Sequence, residues 1–247
     1  PESESCGSMR ELEEARRIPP MKTPALIAAA LCVLPLAGAL AQPCGSDHAP
    51  RPAALFERFV SADCAACWSE PRTPAPGPSA LVVDWIVPTP SGDDAPLSAA
   101  ATPDALARLQ DVGRAAPAGT DVHTAPLIAA PGRLRVAMGP AVNDYVGAVI
   151  RFTPPPTARP PLRFWLVLVE QLPAGAEGSP VARHVVRNAW HGEWPGGALA
   201  DLRPMRIPDG ARVERLGLAG WVQDAAGRTL AAAQAPCAAT PSSTPAR

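Results

Sequence analysis

Cys64 and Cys67, separated by Ala65 and Ala66, are the residues of this chain best equipped for chemistry. Two thiols at this spacing can close a small ring. A helix beginning at the first would favour its thiolate through the partial positive charge at a helix N-terminus. The expected reaction is thiol–disulfide exchange, with Cys64 as the attacking thiolate and Cys67 resolving the mixed disulfide. Two other readings stay open. The pair can be an inert bridge that only fastens a loop, or, together with His123, it can offer three soft ligands to Cu(I). A structural zinc site needs a second CxxC or paired histidines, and the sequence has neither. No Ser/His/Asp spacing, phosphate loop or pair of catalytic carboxylates stands out, and the exchange reading calls for no cofactor.

The compartment follows from the segment upstream. Met21-Lys22, the apolar run Ala25–Leu34, the break at Pro35 and Ala39-Leu40-Ala41 read as a secretory signal over 21–41, cleaved before Gln42. The run is shorter than the ~20 residues that span a bilayer, and no later stretch is long enough. Residues 1–20 do not fit a signal, so the start is expected at Met21 and the preceding segment reads as a gene-call artefact. The part expected to remain carries 18 Arg, no Lys and 18 Asp plus Glu. With no basic excess, nucleic acids and anionic membranes are not expected partners. It also keeps four cysteines, Cys44, Cys64, Cys67 and Cys237. Three pairings are possible. The close pair most naturally bonds to itself, which leaves Cys44 to Cys237.

The elements that position the CxxC begin with Leu55–Val60, an apolar run read as a strand ending just before Cys64. Pro71, Pro74, Pro76 and Pro78 keep any helix after Cys64 very short. Leu81–Val87 reads as a second strand. Thr102-Pro103-Asp104 combines a capping hydroxyl, a proline at the first helical position and an acid in the first turn, so a helix is expected from there. Val122–Ala130, interrupted by Pro126, and Arg133–Met138 read as further strands. Val142, Tyr145, Val146, Val149 and Ile150 fall at i, i+3, i+4, i+7 and i+8, the stripe of a core-facing helix. This order predicts an α/β domain over 42–152 with a thioredoxin-like layout, in which Pro126 would be the cis-proline beside the CxxC. Residues 153–161 are too proline-rich for helix or sheet interior and read as a linker. Beyond them, five strands over 162–236 predict a small all-β sandwich, with a disordered tail at 237–247. On its fourth-from-last stretch of sandwich sequence, Arg183, Val185 and Arg187 share one strand face, read as solvated. The cluster of His184, Trp190, His191 and Trp194 reads as sandwich core and rim.

Several segments resemble the proteobacterial secreted proteins of domain-of-unknown-function family 1223. Glu57 through Cys67 is similar to that family's strand, Ser and CxxC, and Val83-Asp84-Trp85 to its second strand. Pro126-Leu127-Ile128 with Gly132-Arg133, Arg183–Arg187, and Val222-Gln223-Asp224 with Gly227-Arg228 are similar to later ones. The resemblance implies an exported protein, in the periplasm or outside a Gram-negative cell, that joins a thioredoxin-like domain to a β-sandwich. Its partners would be thiols or disulfides of other exported proteins. The chain departs from the family pattern at Trp68, where proline is usual, and at Asp63, where glycine is usual. The Asp63 carboxylate and a curtailed helix both disfavour the Cys64 thiolate.

Overall fold

The computed structural model describes residues 44–128 and 132–237. The expected signal at 21–41, the segment 1–20 and the tail beyond Cys237 lie outside the described residues.

Strands predominate among the described residues. After β1 (Cys44–Gly45) come β2 (Ala54–Ser61), the one-turn helix α1 (Ala65–Trp68), β3 (Ala80–Val87), helix α2 (Pro103–Asp111) and β4 (Thr120–Pro126). The rest is β5 (Arg133–Val142), β6 (Tyr145–Thr153), β7 (Leu162–Leu172), β8 (Arg183–Trp194), β9 (Leu199–Arg206), β10 (Leu216–Asp224) and β11 (Thr229–Pro236). Seven strands form one sheet in the order β11-β10-β7-β8-β3-β2-β4, and four form a second in the order β1-β5-β6-β9.

This arrangement overturns the expected division into an α/β thioredoxin-like domain and a separate all-β sandwich. The large sheet draws strands from both sides of residues 153–161, with β3 beside β8, so that segment links strands within one unit. The five strands expected after residue 161 form, but β9 leaves its neighbours to pair with β6 in the small sheet. What survives of the α/β layout is local. β2 and β3 are parallel, joined through α1, and β4 returns antiparallel on the other side of β2.

The decisive difference lies at residues 139–152. The expected helix is instead a β5–β6 hairpin, turned at Asn143 (φ 48°) and Asp144 (φ 60°). Two consecutive residues in the left-handed region make the tight turn whose twist matches paired strands, and Asn and Asp tolerate it best. Along β6 the buried residues are Val146, Ala148, Ile150 and Phe152, the period of two expected of a strand.

The two sheets pack face to face. Val136, Met138, Val146, Ile150 and Phe152 of the small sheet meet Leu166, Leu168, Leu218, Val222 and Leu230 of the large one. Gly220 on β10 sits at a tight contact between them, because a Cβ there would lie 3.1 Å from Val136 Cγ1 and 3.1 Å from the Trp165 carbonyl. The opposite face of the large sheet carries Phe59, Trp85, Trp165 and Trp221, and α2 covers it with Ala105 and Leu109. Trp165 meets Trp85 edge-on and stacks on Trp221. A third apolar cluster, Val60, Ala62, Ile86, Leu172 and Val185, holds Trp68 of α1. Successive residues of a strand point to opposite faces, so Phe59 and Val60 place α2 and α1 on opposite sides of the sheet. Cys44 and Cys237 are bonded, their Cα atoms 5.2 Å apart.

Candidate functional site

The site begins where β2 ends. Ser61 accepts the Cys64 N–H at its carbonyl (3.0 Å), and Ala62 donates to the Val87 carbonyl (2.9 Å), so the chain leaves the sheet in a tight, pinned turn. Cys64 caps α1: its sulfur accepts the Cys67 N–H at 3.2 Å. Ser69 closes the other end, its hydroxyl donating to the Ala65 carbonyl at 3.2 Å. The proline-rich stretch that follows permits no second turn. Cys64 and Cys67 form a disulfide with Cα atoms 5.2 Å apart, and both residues are half-buried. Asp63 is exposed beside them.

Three residues surround the bridge. Trp68 is buried and donates its indole N–H to the Glu177 carbonyl (2.7 Å). Gly119 faces Cys67: a Cβ there would lie 3.4 Å from Sγ, in ordinary van der Waals contact. Arg183, fully buried, lies under α1. It donates to the carbonyls of Trp68 (3.0 Å) and Cys67 (3.5 Å), with its guanidinium carbon 4.9 Å from the centre of the Trp68 ring. These carbonyls belong to the last turn of a helix and would otherwise lack donors.

Neither Pro126 nor His123 joins this constellation. The β2–β4 register sets Thr120 opposite Val60, His123 opposite Glu57 and Pro126 opposite Ala54. At ~3.3 Å per residue, Pro126 is about 20 Å from the cysteine end of β2. The expectation of a cis-proline at Pro126 is corrected as well, since the cis bond found among the described residues is Pro160–Pro161. His123 contacts Glu57 through Nδ1 at 3.1 Å. The three-ligand Cu(I) arrangement of Cys64, Cys67 and His123 therefore has no geometric basis.

Sequence reasoning missed the charges inside the sheet. Glu57, on the α2 face, receives two hydrogen bonds from Arg108, each 2.8 Å, and one from the Trp85 indole at 3.1 Å. Arg108 also donates to Gln223 (2.8 Å) and lies over the Trp165 and Trp221 rings. Burial pushes the Glu57 carboxyl up, but the charge and hydrogen bonds of Arg108, with His123, outweigh it and hold the group at about 2. On the α1 face, Arg58 binds Asp84 at 2.6 and 3.2 Å, and Asp84 also accepts the His184 N–H at 2.6 Å. Arg183 reaches toward the same carboxylate at 3.6 Å. Burial, chiefly, pushes Arg183 below the ordinary guanidinium range and His184 below the ordinary imidazole range. Arg187 pairs with the fully buried Glu170 at 2.6 Å. The face of Arg183, Val185 and Arg187 is thus interior, which corrects its reading as solvated. A signal was present: Glu57-Arg58 interrupts an apolar run, and both faces of a central strand are buried.

Among the described residues, no helix is long and apolar enough to cross a membrane, and no group of three or more His, Cys, Asp or Glu side chains is placed to hold a metal ion.

No family model matches the chain, and no curated protein sequence does. Among solved structures it is similar to HBP35 of Porphyromonas gingivalis, with a TM-score of 0.53 and 10% identity over 80% of this chain and 78% of that one. A weaker match, pT26-6p, has a TM-score of 0.29 and 14% identity over 44% of this chain and 22% of that one. The likeness to HBP35 is one of fold.

Proposed function

We propose that this is an exported protein that exchanges disulfides with other exported proteins through Cys64 and Cys67. The observation that carries the reading is a half-exposed bridge at a strand end that closes a sequence separation of only 3 residues. In the chain-entropy picture so small a ring adds about 2 kcal/mol of stability. The Cys44–Cys237 bridge, with a separation of 193, adds about 5 kcal/mol in the same picture. One bridge fastens the fold; the other contributes little to it and stays within reach of a partner.

From the reduced pair, the Cys64 thiolate attacks one sulfur of a partner disulfide. A Cys64–partner bond forms and one partner thiolate leaves. The Cys67 thiolate then attacks Cys64 Sγ, expelling the second partner thiolate and restoring the bridge. Two electrons pass from the pair to the partner, and the reverse sequence oxidises a partner dithiol. Gly119 sets no side chain against Cys67, and the Cys67 N–H supports negative charge on Cys64. Support for an exported setting comes from the two bridges, which persist in oxidising compartments, from the signal read at 21–41 and from the resemblance to family 1223.

Equilibration of the protein, lacking residues 1–41, against a glutathione buffer tests this. The expected potential lies among exported oxidants and isomerases, roughly −210 to −120 mV, and the transition vanishes in Cys64→Ser. A potential below roughly −300 mV marks a structural bridge. It would replace this reading with a non-enzymatic interaction module whose disulfides only stabilise it.

A further inference from the structure

The cluster beneath α1 does not balance its charges. Arg58 and Arg183 share the single carboxylate of Asp84, and all three side chains are at most 2% exposed. Arg58 is fully engaged, by Asp84 and by the carbonyls of Pro74 and Ala182. Arg183 is not: its Nη1 is buried without a hydrogen-bond partner, while Nε donates to Ser179 and Nη2 to the Trp68 and Cys67 carbonyls. The neighbouring acids offer no second counter-charge. Glu170 is closed by Arg187, Glu177 faces Arg215 at 3.4 Å, and Asp63 stands in solvent. Glu57 is on the opposite face of β2, engaged by Arg108. His184, beside Asp84, adds no negative charge.

A buried positive charge without an anion is costly, and an anion formed next to it is correspondingly favoured. We propose that Arg183 is a positioning residue for the Cys64–Cys67 pair: its uncompensated charge, held against the Cys67 carbonyl, stabilises the thiolate released when the bridge is reduced. This rests on the exchange reading above and names what drives it. The one-turn helix supplies little dipole, and the Arg183 charge lies at its other end, against the Cys67 and Trp68 carbonyls. In the oxidised protein the cluster carries an excess of one positive charge. Reduction of the bridge by two glutathione molecules, which leave as glutathione disulfide, delivers two electrons. Of the two protons the glutathione thiols give up, one goes to a protein sulfur and the other to water. The second protein sulfur stays as thiolate near the Arg183 charge, which is held at the Cys67 carbonyl.

The test begins with the wild-type protein, kept reduced by a phosphine, with thiolate absorbance followed against pH. The lower thiol pKa is expected at least one unit below the ordinary ~8.5, despite Asp63. Arg183→Met should raise it by about a unit and move the equilibrium with glutathione about tenfold toward the disulfide, equivalent to about 30 mV. Arg183→Lys should keep most of the wild-type value. Asp84→Asn, which leaves both arginines uncompensated, should move both readings the opposite way, and general destabilisation cannot produce opposite signs. A wild-type thiol at or above ~8.5 overturns the proposal even if every variant misfolds. So does a shift of the same sign in Arg183→Met and Asp84→Asn, or no shift in either. A depressed thiol pKa that depends on Arg183, found with a potential below roughly −300 mV, would sustain the electrostatic role and defeat the exchange reading. An ordinary thiol in an exchange-active protein would do the reverse.

Discussion

Glu57 and Arg108 meet through two 2.8 Å hydrogen bonds with neither side chain exposed to solvent. The contact joins a sheet strand to α2, the helix that covers the tryptophan face, and the Trp85, Gln223 and His123 contacts saturate it. Taking such a pair out of water is expensive, and the two charges offset that cost only while both are present.

Arg108→Met should therefore cost about 3–5 kcal/mol, because it strands a buried carboxylate. Glu57→Gln combined with Arg108→Met should cost clearly less than Arg108→Met alone. Urea unfolding of the single and double variants checks this, and an additive double variant would show that the pair is not coupled.

Stability should fall in two stages on acidification. His184 has a depressed pKa, so the folded state resists its protonation and stability declines as pH drops below the ordinary value near 6.5. Glu57, ordinarily near 4.5 and held at about 2, contributes stability that is complete above 4.5 and lost as pH falls toward 2. That second stage is on the order of 3 kcal/mol. Urea midpoints measured from pH 8 to pH 2 should show both stages, with the lower one missing in Glu57→Gln.

Cys44→Ser combined with Cys237→Ser should lower stability by about 5 kcal/mol, and Cys64→Ser with Cys67→Ser by about 2 kcal/mol or less. Comparable losses in the two double variants would contradict the division of labour between the bridges.

Asp63→Gly should speed exchange with a model disulfide by about threefold at low salt, with the gain shrinking as salt screens the exposed charge. Stopped-flow rates at two ionic strengths would reveal it, and a salt-independent rate change would point to altered backbone geometry.

Gly220→Ala should destabilise by about 1–3 kcal/mol, since a methyl group there meets the Trp165 backbone and Val136 across the sheets. A thermal melt unchanged within a degree would show that the sheets can part to admit it.

Much of the local structure was legible. Thr102 does cap α2, accepting the Asp104 N–H at 3.3 Å with Pro103 in the first turn, because capping chemistry is local. The break after Trp68 was likewise written in prolines. The hairpin was not read, because Val142, Tyr145, Val146, Val149 and Ile150 satisfy a helical period while Val146, Ala148, Ile150 and Phe152 satisfy that of a strand. Asn143-Asp144 and the β-branched content were the arbiters. The CxxC and its short helix could be placed from sequence. Arg183 could not, since it reaches Cys67 across 116 residues through a strand pairing that only the assembled sheet defines.

The Cys44–Cys237 bridge ties β1, in the small sheet, to the residue just past β11, in the large one. Every strand between them therefore sits inside a covalent loop. A pull applied to the chain on both sides of that loop runs through a single sulfur–sulfur bond and never reaches the strand ladders. A processive machine threading from either end would have to drag a doubled chain through its pore or stall at the junction. In an oxidising compartment the bridge acts as a mechanical shunt, and reduction would make the protein unravellable.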